Sequence, residues 1–458
     1  MRIGRAVLRA LLSVLAALLT APVVTAQDRA AAELFASPVA LPLTITAPLD
    51  DLFRRAQSDP NATIQGLVTY SAGGHDIKLE GVPISVRGHT SKRETECSFP
   101  KLKLHVAKSP GAAHSIFAGL KAVKLGTHCG EAADGQLTPR FGRWANEKAP
   151  PREAVVYRLL NAFGVSTFLA RPARVTYEMS GQRLIRNALL REDEDDFARR
   201  LGVGAEILPE RFRSAEQDFK PEDAARLAFA EALVGNFDWC LRFKSGDTYR
   251  CDDRRGLWNV SAFARSEGAA LPVPGDFDLA GMVTGRHLWF DKAFYAGFSA
   301  SRSAPELEVV SQVQRTRTLF PRAVLDATRR SFLERRDAAY RVVRESEVDE
   351  DGRSRLAAYL DTFVAAIQDD AAFYRPVVAR PNARVYRDAA RSAEACGPGD
   401  AAPIGTVVGN PIATERDMIQ VAVLDVLWKW APPARCDAVH AGPVWIEKSA
   451  VSAEFPKP

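Results

Sequence analysis

The chain contains no CxxC pair and only seven histidines in 458 residues. That scarcity argues against a structural zinc site, which draws four ligands from closely spaced Cys and His. A strong excess of one charge is missing too: 61 Lys and Arg face 56 Asp and Glu, a formal net charge of +5. Binding to nucleic acid or an anionic membrane needs clustered basic residues, so no nucleic-acid partner is expected. Past residue 26 no apolar run approaches the ~20 residues of a spanning helix, and internal repeats and low-complexity tracts are absent.

What is present begins at the N-terminus. Arg2, Arg5 and Arg9 precede the apolar run from Leu11 to Ala26, which ends in small residues. This is the layout of a secretory signal peptide over residues 1–26, cut after Ala26. A periplasmic or secreted protein with no integral membrane segment after cleavage is expected. The six cysteines, Cys97, Cys129, Cys240, Cys251, Cys396 and Cys436, form an even set suited to an oxidising compartment. Sequence alone leaves the pairing open. The sequential set 97–129, 240–251 and 396–436 keeps each bridge within one substructure and is the preferred reading.

Apolar alternation predicts strands at Ile64–Tyr70, Asp76–Leu79, Val82–Arg87 and Lys101–Val106, with a turn at Gly73-Gly74. Pro151 opens a helix whose apolar residues Ala154, Val155, Leu159, Leu160 and Phe163 recur at helical spacing. A strand pair, Ala173–Tyr177 and Arg183–Leu190, turns at Ser180-Gly181. A second helix runs from Glu222 to Val234, and helical patterns resume from Pro321 to about Tyr374. This predicts an α+β, two-lobed domain over residues 27–375. Residues 376–458, with short strand signals at 383–386, 404–408, 418–423 and 444–446, read as a small all-β unit.

Three segments could carry chemistry. In Gly275-Asp276-Phe277-Asp278, an extended backbone would put both carboxylates on one face and Phe277 in the core, forming a hard-cation site suited to Mg²⁺. In Gly235-Asn236-Phe237-Asp238-Trp239, a loop carboxylate among aromatics suits a base or an orienting group. The basic turn at Arg87 leads to a strand whose Lys101 and Lys103 share a face and could hold phosphate. Each also has a structural reading: a solvated turn, a helix C-cap, a lysine-guarded sheet edge. A glycan-hydrolysing pair of Asp238 and Asp276 is a further arrangement, but nothing in the flanking residues favours sugar binding.

Their order along the chain is that of protein-kinase-like phosphotransferases. The stretches VRGHTSK, ECSFPKLKLHV, LKAVKLGTHC, REAVVYRLLNAFG, LVGNFDW and DFDLAGMV resemble the spore-coat protein H (CotH) kinase family over roughly residues 80–290. The resemblance implies an atypical kinase fold using ATP and Mg²⁺. In it Lys103 contacts nucleotide phosphates, with Arg87 on the preceding turn, and Glu153 supports that lysine. Asp238 orients the acceptor hydroxyl, and Asp276 with Asp278 holds Mg²⁺. The chain departs from that pattern five residues after Asp238, where Phe243 replaces the usual Asn, and again at Arg242-Phe243-Lys244 in place of a His-Asn pair. The C-terminal stretches NARVYRDA, PIGTVVGN, DMIQVAV and GPVWIEKSAV resemble bacterial SH3-like domains. Tyr386, Trp428 and Trp430 would line a groove for cell-wall peptide or glycan, or form the core of a small barrel. Two functions follow: a phosphotransferase acting on an envelope or secreted protein, or an inactive kinase-like scaffold tethered through the SH3-like unit.

Overall fold

The computed structural model describes residues 33–88, 92, 97, 99–127, 129, 147–244, 256–266, 268–284, 305–380, 383–395, 402, 406–423 and 442–454. The leader at 1–26, Cys251, Cys396, Cys436, Trp428 and Trp430 lie outside these residues. No helix among the described residues is long and apolar enough to cross a membrane.

The first half of the chain closes a seven-stranded barrel. Its strands are β1 (Leu41–Thr46), β2 (Thr63–Ala72), β3 (His75–Val86), β4 (Leu102–Leu104), β5 (Val123–Gly126), β6 (Ala170–Met179) and β7 (Gln182–Glu192). They follow the order β1-β2-β3-β4-β5-β7-β6, and β6 pairs parallel with β1 to complete the ring. Alternating residues such as Leu43, Ile45, Val68, Ile84, Leu102, Leu104, Leu125 and Val175 fill the interior, while their neighbours on each strand face outward. The expected turns at Gly73-Gly74 and Ser180-Gly181 are in place, with positive φ at all four residues. The two strands expected at 76–79 and 82–87 are one strand, β3. Gly81 (φ 62°) adopts a left-handed conformation, which a glycine accepts without a Cβ penalty, so the strand passes through the irregularity opposite Gly66.

A helix α1 (Leu49–Ala56) follows β1, and α2 (Ala149–Ala162) packs between the barrel and the helical part. Beyond β7 come α3 (Glu194–Leu201) and α4 (Pro221–Leu233). The short pairs β8 (Cys240–Leu241) with β9 (Leu257–Trp258), and β10 (Val260–Phe263) with β11 (Leu271–Pro274), follow. Helices α5 (Ser311–Leu319), α6 (Arg322–Glu334), α7 (Arg336–Arg344) and α8 (Glu350–Ile367) then pack against α2 and α4 over a second core that includes Phe163, Phe229, Phe332 and Phe363. The α+β class stands. The barrel core and the helical core are separate clusters.

After residue 376 the described strands are all β. An antiparallel sheet takes the order β13-β16-β15-β14, with β12 (Val377–Val378) pairing β17 (Val451–Ser452). The sheet strands are β13 (Val385–Tyr386), β14 (Ala413–Glu415), β15 (Met418–Val421) and β16 (Val444–Glu447), and they enclose their own core around Ile419, Val421 and Ile446. Cys97 and Cys129 form the first expected disulfide. Cys240 is disulfide-bonded as well.

Candidate active site

Strand β4 begins right after Lys101, and its register fixes which lysine goes where. Lys103 lies in a cross-strand row with Ser85, Lys124 and Arg191. Its ammonium pairs with Asp193, which caps α3, at 2.6 Å. Lys101 lies two residues back on the same face, where its backbone carbonyl accepts from the Arg87 N–H. Its Nζ bridges Asp276 Oδ1 at 2.5 Å and Asp278 Oδ2 at 2.7 Å. The lysine at the aspartate pair is therefore Lys101, while Lys103, for which the resemblance implied contact with nucleotide phosphates, pairs with Asp193.

The two aspartates face one cation, and Phe277 between them is fully buried, edge-on to Tyr157 at 5.0 Å. The local backbone is not the extended one expected. Strand β11 ends at Pro274, and Asp276 holds φ 60°, a left-handed conformation that costs a non-glycine residue about 1–2 kcal/mol. The Asp276 N–H donates to the Tyr157 hydroxyl at 2.9 Å, which fixes that conformation from α2.

Glu153, one turn earlier on α2, is buried in the same cluster. Burial pushes its carboxyl up to about 8 against the pull of Lys101, and Asp278 and Asp276 add to the rise. Burial pushes the Asp276 carboxyl up too, but Lys101, Arg87 and Arg191 win and hold it at about 2. Asp278 rises through burial, with Lys101 opposing. Arg87 is lowered by burial and by Arg191, while Asp276 and Glu153 counter that shift.

Asp238 completes the constellation. Gly235 ends α4 with φ 61° and turns the chain. The Asp238 N–H donates to Asn236 Oδ1 at 2.9 Å, and Asn236 Nδ2 donates in turn to the buried Glu231 at 2.8 Å. Burial pushes the Asp238 carboxyl up to about 7, with Asp278 and Asp276 adding like charge. Asp238, Glu153, Arg87, Lys101, Asp276 and Asp278 thus share one electrostatic neighbourhood.

Several members were not singled out from sequence. Asn259, in a left-handed turn between β9 and β10 (φ 54°), donates from Nδ2 to Asp238 Oδ2 at 3.0 Å and to the Asp238 carbonyl at 2.5 Å. Trp258 Nε1 donates to Asp238 Oδ1 at 3.4 Å. Arg191 lies over the Phe168 ring at 4.0 Å and pairs with Glu194 at 2.6 Å. A cavity of about 140 Å³ opens beside them, lined by Phe168, Arg191, Asn259, Ser261, Gly275 and Asp276.

The two acidic loops are tied together. The Gly281 N–H donates to the Gly235 carbonyl and the Met282 N–H to the Val234 carbonyl, both at 3.1 Å. Behind them the Tyr359 hydroxyl donates to the Glu308 carboxylate. A Cβ at Gly281 would meet Glu308 Oε2 at 1.9 Å and the Tyr359 hydroxyl at 2.3 Å. Gly281→Ala is therefore expected to lower stability by about 1–3 kcal/mol, the usual cost of overpacking. Urea unfolding of wild type and variant measures this loss; an unchanged midpoint would show that the buttress gives way freely.

Among the described residues no group of three or more His, Cys, Asp or Glu side chains is arranged to hold a metal ion. The oxygens of Asp276 and Asp278 do converge on one cation, the Lys101 ammonium. Two carboxylates are the protein share that Mg²⁺ commonly takes, with phosphate and water supplying the rest, so this donor set fits that ion.

No known family description matches the chain, and no curated protein matches it. Among solved structures, the proinflammatory kinase CtkA of Helicobacter pylori is similar over 59% of this chain and 89% of that one, at 9% identity and a TM-score of 0.32. Likeness at that level assigns no activity, and the chemistry rests on the residues described above.

Proposed function

We propose that this chain is a kinase-like phosphotransferase, with a site built from Lys101, Glu153, Asp238, Asp276 and Asp278. The observation that carries this reading is the buried Lys101 ammonium held between Asp276 and Asp278, with Asp238 in the same field. Asp276 and Asp278 would hold Mg²⁺, which would supply positive charge to offset that of the moving phosphoryl group. Lys101, released toward Glu153, and Arg87 bind phosphate oxygens of ATP, the proposed donor. Asp238 orients the acceptor hydroxyl and takes its proton as the new oxygen–phosphorus bond forms and the bond to the leaving phosphate breaks. The acceptor is a hydroxyl of an envelope or secreted protein. The C-terminal β unit acts as an SH3-like module that captures cell-wall peptide or glycan.

A specific observation favours a second reading, a kinase-like scaffold without activity. Phe243, where kinase-like loops carry an amide, packs against Trp239 at 6.3 Å and Phe320 at 5.7 Å and offers no ligand. The two readings separate in one experiment. Millimolar Mg²⁺ or Mn²⁺ with ATP should raise the melting temperature of the chain lacking its leader by several degrees, since ligand at 100 times Kd adds about 2.7 kcal/mol. Asp276→Ala should abolish the shift. No shift with any nucleotide would leave the scaffold.

A further inference from the structure

The amide missing after Asp238 has a replacement elsewhere in the chain. Asn259 enters the site from the turn joining β9 to β10. Its Nδ2 spans Asp238, bonding the carboxylate at 3.0 Å and the carbonyl at 2.5 Å. Its own carbonyl accepts the Gly275 N–H at 3.1 Å, next to Asp276. Asn259 thus bonds to both acidic loops, and it lines the same cavity as Asp276. Among the described residues its Oδ1 accepts no hydrogen bond. With Nδ2 committed to Asp238, that oxygen is the side-chain atom left for a ligand in the cavity that Asn259 lines. The backbone at 259 is strained for any side chain (φ 54°). Asn tolerates that region better than other non-glycine residues, which suits a position where both an amide and a left-handed turn are required.

We infer that Asn259 is a positioning residue for Asp238 and supplies, through Oδ1, a third oxygen beside Asp276 and Asp278 for a divalent cation. The inference rests on the phosphotransferase reading. It also accounts for how two carboxylates suffice in a chain that has Phe243 at the expected amide position. A neutral oxygen suits the place: a third carboxylate there would repel Asp238, whereas an amide offers one oxygen outward and one N–H inward.

Mn²⁺ binding, followed by electron paramagnetic resonance or calorimetry on the full chain without its leader, tests this with and without ATP. Asn259→Gly keeps the left-handed turn and removes the amide. Asn259→Asp keeps an oxygen and removes the donor to Asp238. The expected result is a loss of Mn²⁺ affinity of at least tenfold in Asn259→Gly, affinity retained in Asn259→Asp, and binding abolished in Asp276→Ala. Wild-type binding that Asp276→Ala abolishes and Asn259→Gly leaves unchanged would overturn the inference while the reading of the site stands. A wild-type protein that binds no Mn²⁺ under either condition would overturn both. Circular dichroism of each variant checks the fold, and should Asn259→Gly not fold, weakened binding in Asn259→Asp would overturn the role of Oδ1.

Discussion

Lys101→Met is expected to destabilise the protein by about 2–3 kcal/mol at neutral pH and to make its stability respond to divalent cations. Removing one partner of a buried ion pair costs about 3–5 kcal/mol, because the other is left buried and uncompensated. Here two carboxylates are left, Asp276 and Asp278, facing the point the ammonium occupied. Asp276 keeps 42% of its side chain exposed, so water screens part of the penalty, and the lower figure follows. The pH dependence is specific. Lys101 helps hold Asp276 at about 2, below its ordinary value, so this stabilisation is complete above pH ~4 and is lost as pH falls toward 2. The gap between wild type and variant in denaturant unfolding should therefore shrink as pH falls below about 4. Adding millimolar Mg²⁺ or Mn²⁺ should recover part of the loss in Lys101→Met, since an ion bound between the carboxylates would replace the charge that was removed. A variant as stable as wild type and indifferent to metal would mean that the ion pair is not what organises the site.

Asp238→Asn should lower phosphoryl transfer by about 10²–10⁴-fold, the usual contribution of a positioned acid–base group. The asparagine keeps the shape and the acceptor oxygen but takes no proton. Burial and the two neighbouring aspartates push the Asp238 carboxyl up to about 7. In wild type kcat/KM should then rise about tenfold per pH unit below 7 and level off above it, because only the ionised form accepts the hydroxyl proton. Stability runs the other way. A raised carboxyl favours the folded state below its ordinary value, and that advantage is lost as pH climbs through about 7. Asp238→Asn should remove both the slope in rate and the slope in stability. Transfer of labelled γ-phosphate to the protein itself or to an added acceptor measures the first; a persisting slope would assign the proton to another group.

Much of this site was legible because it depends on local spacing. The buried Phe277 between two aspartates, the helix opened by Pro151 that carries Glu153, and the turn at Gly235 that presents Asp238 were all signalled locally, although the backbone at Asp276 is left-handed where an extended one was expected. What sequence did not decide depends on long-range register. Lys101 and Lys103 share a face, so alternation alone cannot choose between them. The choice is made by Asp193 at the cap of α3, which takes Lys103, and by the left-handed turn at Asp276, which brings the acidic pair to Lys101. Closure of the barrel was hidden for the same reason, since it depends on β1 pairing parallel with β6 across more than a hundred residues. Asn259 was invisible because its partner, Asp238, lies 21 residues earlier in the chain, a separation that no local spacing bridges.

The most direct test of the central claim is a crystal structure of the chain grown with Mn²⁺ and a non-hydrolysable ATP analogue, with the metal located by anomalous scattering. One strong peak is expected within about 2.0–2.3 Å of oxygens from Asp276 and Asp278, with the Lys101 ammonium moved from between them toward Glu153 and the phosphates. A structure that holds nucleotide while Lys101 still bridges the two aspartates, or a peak away from that pair, would contradict that claim.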